Sequence, residues 1–94
     1  MAVTIVIPTP LRGYAGGLGR VEVEANTAGE ALSVLVATHS GLKNHLYSPE
    51  GKLRSYVNVY LGTEDIRYLQ KDATPLKAGD TLSIVPAIAG GVEL

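Results

Sequence analysis

The chain has 94 residues, a net charge of −1 and no cysteine, tryptophan or phenylalanine. That length suits one small domain with a modest core. The balanced, interspersed charge argues against nucleic acid as the main partner, since phosphate binding needs a concentrated positive surface. The lack of cysteine excludes disulfides, thiolate metal sites, a cysteine nucleophile and cysteine-ligated iron–sulfur clusters. No basic segment followed by an apolar run opens the chain, and no apolar run approaches membrane-spanning length. A cytoplasmic protein with no membrane partner is expected. Five tyrosines are the only aromatics, so the core must be built from Val, Ile, Leu and Ala.

Residues 2–8 are rich in β-branched side chains and stop at Pro8, which predicts a strand. Val3, Ile5 and Ile7 share one face, Thr4 and Val6 the other. Two fairly apolar faces suit a central position. Residues 9–19 hold four glycines and a proline and predict a loop. No Gly-Lys-Ser/Thr follows, so a phosphate cradle is not indicated. The length of this loop is unusual for a hairpin, which fits a binding role, and a tolerated surface loop fits equally. Residues 20–25 alternate between apolar and acidic side chains, as in a strand with one wet face.

Thr27 with Glu30 three residues later is a helix-start signal. Ala28, Ala31, Leu32, Leu35, Val36 and His39 recur at helical spacing, and Gly41 suits a C-terminal cap. A helix over about residues 28–40 is predicted. His39 in its last turn and His45 are the only histidines. Without Cys or clustered carboxylates they make a poor metal site, and structural or surface roles are expected for both. Residues 42–47 suit a short helical turn with Leu42 and Leu46 inward, and residues 48–51 a tight turn. Lys43, Lys52 and Arg54 tint this region positive, a pattern more often a solvated face than an anion site.

Residues 56–61 are the strongest strand signal. Val57, Val59 and Leu61 fit a core face, and Tyr56, Asn58 and Tyr60 the other. Two outward tyrosines suit either partner docking or cross-strand packing. A turn at residues 62–65 leads to a predicted short strand at 66–68, a loop at 71–76 and a tight turn at 77–80. In the last strand Leu82 and Ile84 point inward, while Ser83 and Val85 extend the outer face. The order strand, strand, helix, strand, short strand, strand predicts an α+β fold. If the last strand lies beside the first, the two run parallel and their connection contains the helix. That arrangement is the β-grasp, or ubiquitin-like, fold, a mixed sheet of four to five strands covered by one main helix. The predicted domain is 1–89, with 90–94 as a flexible C-terminal tail.

The tail runs Ile88-Ala89-Gly90-Gly91 and then Val92-Glu93-Leu94. A glycine pair is thin and loose and adds nothing to a core. It is either a frayed end or a peptide shaped to thread a narrow cleft. The segments at residues 3–12, 52–60 and 64–67, then Gly79-Asp80 with residues 83–91, resemble the ubiquitin-like sulfur carriers over nearly the whole chain. The resemblance is strongest to the branch serving thiocarboxylate-dependent cysteine biosynthesis, and weaker to the molybdopterin-synthase small subunit and the thiamine sulfur carrier.

That resemblance implies a carrier and not an enzyme, with no bound cofactor. An E1-like enzyme would adenylate the Gly91 carboxylate with ATP, and sulfur from a donor would displace the adenylate to leave a thiocarboxylate. Gly90 would give access to the activating cleft. An acceptor synthase would take the sulfur, in the cysteine pathway onto an activated serine derivative. Tyr56, Tyr60, Val85, Pro86 and Ile88 are the expected partner-docking surface. The chain departs from the family pattern where three residues follow Gly91. Cleavage between Gly91 and Val92, by a JAMM-type zinc metalloprotease or another protease, would expose the carboxylate; a remnant of cloning is the other source of such residues. An unactivated ubiquitin-like interaction module and a modifier joined to lysines through Gly91 are the competing functions.

Overall fold

Strand β1 (Ala2–Val6) lies inside the sheet, as its two apolar faces predict. The computed structural model describes residues 2–54 and 56–86. Strand β2 (Arg20–Glu24) follows, then helices α1 (Ala28–Thr38) and α2 (Lys43–Leu46). Strands β3 (Val57–Leu61), β4 (Glu64–Asp65) and β5 (Thr81–Pro86) complete a sheet of order β2-β1-β5-β3-β4. β1 pairs in parallel with β5, and the β1–β2, β3–β5 and β3–β4 pairs are antiparallel. This is the predicted mixed β-grasp sheet.

Alternation along the strands puts Val3, Ile5, Val23, Val57, Val59, Leu82 and Ile84 on one buried face. Helix α1 closes it with Ala28, Ala31, Leu32 and Leu35. Each fully buried aliphatic side chain contributes about 1.5–3 kcal/mol, so the Val/Ile/Leu/Ala core suffices without large aromatics. The helix starts where predicted. Thr27 Oγ1 accepts from Glu30 N at 3.2 Å, while the Glu30 carboxylate accepts from Asn26 N at 2.9 Å. The return bond reaches one residue earlier than in the usual reciprocal cap.

Several predicted boundaries differ. Helix α1 ends at Thr38 with His39 as its cap, whose N–H donates to Leu35 O. Gly41 is therefore not the cap; it lies in a 3₁₀ turn, Ser40–Leu42, that leads straight into α2. Leu42 and Leu46 are buried there, as expected. Residues 9–19 are not plain loop. A 3₁₀ helix, Thr9–Ala15, has proline in its first turn and buries Leu11 and Ala15. Arg12 Nε donates to Ile7 O at 3.0 Å, and Gly16 closes the turn at φ 66°.

The short strand predicted at 66–68 is a 3₁₀ helix, Ile66–Tyr68, and β4 occupies the two preceding residues. The Asp65 carboxylate accepts from Arg67 N at 2.9 Å and lies 3.5 Å from Arg67 Nε. That side-chain capture turns the chain before Ile66 can extend. Tyr56 also precedes its predicted strand, which begins at Val57. The 1–89 and 90–94 division falls among residues outside the described set.

Helix α1 approaches the 3₁₀ turn Lys71–Ala73 at Gly29. A Cβ on Gly29 would stand 2.8 Å from the Asp72 Cβ and 3.1 Å from the Asp72 carbonyl oxygen. Replacing glycine by alanine in a helix normally gains about 1 kcal/mol. Here the overpacking reverses the sign, and G29A should lose about 1–2 kcal/mol net, read as a lower midpoint in thermal unfolding.

Candidate functional site

The face of the sheet opposite α1 carries the side chains that alternate away from the core. Register aligns them into rows. Arg20, Val6, Ser83, Tyr60 and Asp65 cross all five strands in one row, and Glu22, Thr4 and Thr81 form the next. Asn58 pairs with Val85. Tyr60 is therefore a diagonal neighbour of Val85, within reach of a long side chain. Val85 is 44% exposed on a central strand, where an apolar residue gains nothing from water.

The predicted docking residues separate into groups. Tyr60 and Val85 share the outer face. Pro86 sits opposite Val57, on the side of Leu82 and Ile84 by alternation. Tyr56 is partly buried and packs against the core. Ile88, Gly90, Gly91 and Val92 lie outside the described residues. What the structure fixes is their root, since β5 is paired with both β1 and β3 as far as Ser83 and with β3 on to Pro86.

His39 and His45 do not come together as a metal site, and no group of three or more His, Asp or Glu side chains gathers among the described residues. The His45 ring instead lies against Tyr14, with centroids 4.1 Å apart at 35°. Among those residues no helix is long and apolar enough to cross a membrane. Sequence patterning missed two features. Lys52 and Arg54 meet Arg67 and Lys71 around one cleft, although the 3₁₀ segments that bring the latter pair have no periodicity to read. Tyr68, read as part of a strand, is 86% exposed.

A sequence model of the ThiS family matches residues 5–91, nearly the whole chain. The chain belongs to the ThiS family. It is 42% identical over 93 residues to the sulfur carrier protein CysO of Mycobacterium tuberculosis, covering 97% of this chain and 100% of that one. It is 36% identical over 72 residues to small archaeal modifier protein 3 of Haloferax volcanii, with 77% and 76% covered. Among solved structures, a chain of the Amycolatopsis orientalis BexX/CysO complex superposes with a TM-score of 0.86 at 42% identity, covering 96% of this chain and 100% of that one. For a ThiS-family chain the fold is thus as the element order predicts, and Gly91 is the last residue of the family match.

On the helix side, a groove of about 820 Å³ runs between α1 and the turn after α2, lined in part by Val36, Lys43, Tyr47 and Asp72. Burial disfavours the Tyr47 phenolate, and the Asp72 charge adds to the effect, so Tyr47 titrates above the ordinary phenol value. Its neutral form belongs to the fold. The associated stability is fully present below about pH 10, the unfolded value, and is lost as pH rises through the higher folded value. Tyr47→Phe removes that ionisation. Its unfolding midpoint should fall less steeply than the parent's as pH is raised above about 10, followed by circular dichroism.

Proposed function

We propose that this chain is a sulfur carrier whose working group is the carboxylate of Gly91. Its main support is the extent of the family match, which stops on Gly91 and leaves Val92, Glu93 and Leu94 beyond it. The near-full-length identity to a protein named as a sulfur carrier agrees with this. While Gly91 is followed by Val92 its carbonyl is an amide, so a protease, of the JAMM zinc type in this reading, first cleaves the Gly91–Val92 bond. An E1-like partner then joins the freed carboxylate to the α-phosphorus of ATP and releases pyrophosphate. A carboxylate is a poor electrophile, and the adenylate supplies a leaving group. A sulfide-level donor attacks the acyl carbon, AMP departs, and a thiocarboxylate remains.

The carrier contributes recognition and positioning, while its partners contribute the chemistry. Gly90 and Gly91 bring no Cβ into the partner's cleft. The acceptor is a synthase that takes the sulfur, in our reading onto an activated serine derivative on the way to cysteine. Tyr60 and Val85 form the docking face. The published complex of a CysO chain with BexX supports the general idea of a protein partner.

A second reading, a modifier joined to lysines through Gly91, is favoured by the identity to an archaeal modifier protein. Intact mass of the protein recovered from its own cells separates the two. The carrier reading expects a chain ending at Gly91, with one oxygen exchanged for sulfur in a fraction that disappears on alkylation. Isopeptide adducts on other proteins, with no sulfur-bearing species, would favour the modifier. A uniform chain that still carries Val92 under sulfur demand would overturn both. Val85→Asp should cost about 1 kcal/mol of stability, the span of strand preferences. It should slow conversion to the thiocarboxylate by about tenfold or more, measured with the reconstituted activating enzyme.

A further inference from the structure

Eight lysines and arginines are spread over a chain of net charge −1, and four of them line one cleft. Lys52, Arg54, Arg67 and Lys71 surround a cavity of about 570 Å³, with Asp72 as the one carboxylate in its described lining. Part of the lining is apolar. Leu53, half-buried, and Ala73, exposed, supply apolar surface in the lining, whereas Val57, Val59 and Ile66 are core residues none more than 3% exposed. The cations come from two segments brought together only by folding. Arg54 Nε donates to Asn44 O at 3.0 Å, and Arg67 is held by Asp65 at 3.5 Å. Lys71 adopts φ 53°, the only positive value at a non-glycine residue among those described. Two of the four charges are thus positioned by bonds to neighbouring segments.

The cleft lies at an incomplete margin of the sheet. β4 pairs only with Tyr60 and Leu61. Along Val57–Val59, β3 has β5 on one side and, among the described residues, no strand on the other. Val57 is occupied on this side, its N–H donating to Arg54 O at 2.9 Å and its carbonyl accepting from Arg67 Nη2 at 3.4 Å, a long bond. An extended peptide laid along this margin can bond to the strand edge at Val59. Its alternate side chains can cover Leu53 and Ala73, and those between can set carboxylates against the four cations. A small inorganic anion would leave Leu53 and Ala73 uncovered, and nucleic acid calls for a broader positive surface than this chain offers.

We propose that this cleft docks an extended, acidic peptide segment of a partner protein alongside β3. Charge complementarity selects the partner, and the open strand edge selects its conformation. No tail residue takes part, so the proposal stands independently of the thiocarboxylate reading. Because Pro86 pairs with Val57, a peptide docked here lies one strand away from the root of the tail.

The test uses the full chain and three labelled synthetic peptides of equal length, alternating leucine with glutamate, glutamine or lysine. Binding is followed by fluorescence anisotropy and mapped by amide chemical shifts. The Glu/Leu peptide should bind and shift amides in residues 57–59 and 66–73. It should bind about tenfold or more tightly than the Gln/Leu peptide, and weaken with added salt. Lys52→Glu with Lys71→Glu should reduce its affinity by about tenfold or more at an unchanged melting midpoint, and Lys52→Gln with Lys71→Gln should reduce it less. The proposal is overturned if the Lys/Leu peptide binds as well, if the shifts fall on the outer sheet face, or if both double variants bind normally. Tighter binding of inorganic triphosphate or of a single-stranded oligonucleotide than of the Glu/Leu peptide would overturn it too, as would concentration-dependent self-association through this cleft.

Discussion

The parallel pairing of β1 with β5 is the constraint on which everything else depends. Thr4, Ile5 and Val6 align with Thr81, Leu82 and Ser83. A parallel pair cannot be joined by a hairpin, so nearly the whole chain serves as its connection. Closing a loop of that length costs about 4 kcal/mol, more than a few backbone hydrogen bonds return at about 1 kcal/mol each. Burial of Ile5, Leu82 and Ile84, at about 1.5–3 kcal/mol each, tips the balance. The turn before β5 then locks the register. Thr4 N donates to Asp80 O and Gly79 N to Ala2 O, both at 2.9 Å, while Lys77 N donates to the Asp80 carboxylate at 2.7 Å.

Once β5 is central, the two faces of the sheet acquire different duties. The inner face is filled by α1 and by the aliphatic side chains of four strands. The outer face has no helix over it among the described residues, and it collects Tyr60, Val85 and a scatter of polar residues. The cationic cleft lies at the margin of the inner face, with Val57 and Val59 in its lining. It forms because β4 is only two residues long, after which the Asp65–Arg67 contact diverts the chain. One short strand therefore leaves both an unpaired margin and the arginine that partly covers it.

Much of this was legible in the sequence, because the signals were local and repeated. The β-branched run at residues 2–8 and the alternation at 20–25 reported burial directly. Thr27 and Glu30 marked the helix start, since the same two side chains make the capping bonds. The misreadings share a cause. The 3₁₀ segments Ile66–Tyr68 and Lys71–Ala73 are three residues each, too short to establish a period. Ile66, Arg67 and Tyr68 suit a strand by preference, yet a single carboxylate overrides them. Residues 9–19 looked formless because their glycines dominate the composition, whereas Leu11 and Ala15 carry the burial. In the candidate site, Tyr60 and Val85 followed from alternation. Tyr56 did not join them, because the chain turns before β3 begins. The meeting of Lys52 and Arg54 with Arg67 and Lys71 had no local signature at all.

The terminal strands also determine how the molecule bears load. β1 and β5 run side by side in the same direction, so the start of one and the end of the other lie at opposite ends of the pair. Tension between an anchored amino end and a gripped carboxyl end slides these strands past one another. The bonds between them are then strained together, in shear, instead of opening one at a time like a zip. β3 grips the other margin of β5 as far as Pro86, so the stretch up to Ser83 is held from both sides. Force applied along β5 thus meets the part of the sheet best arranged to resist it.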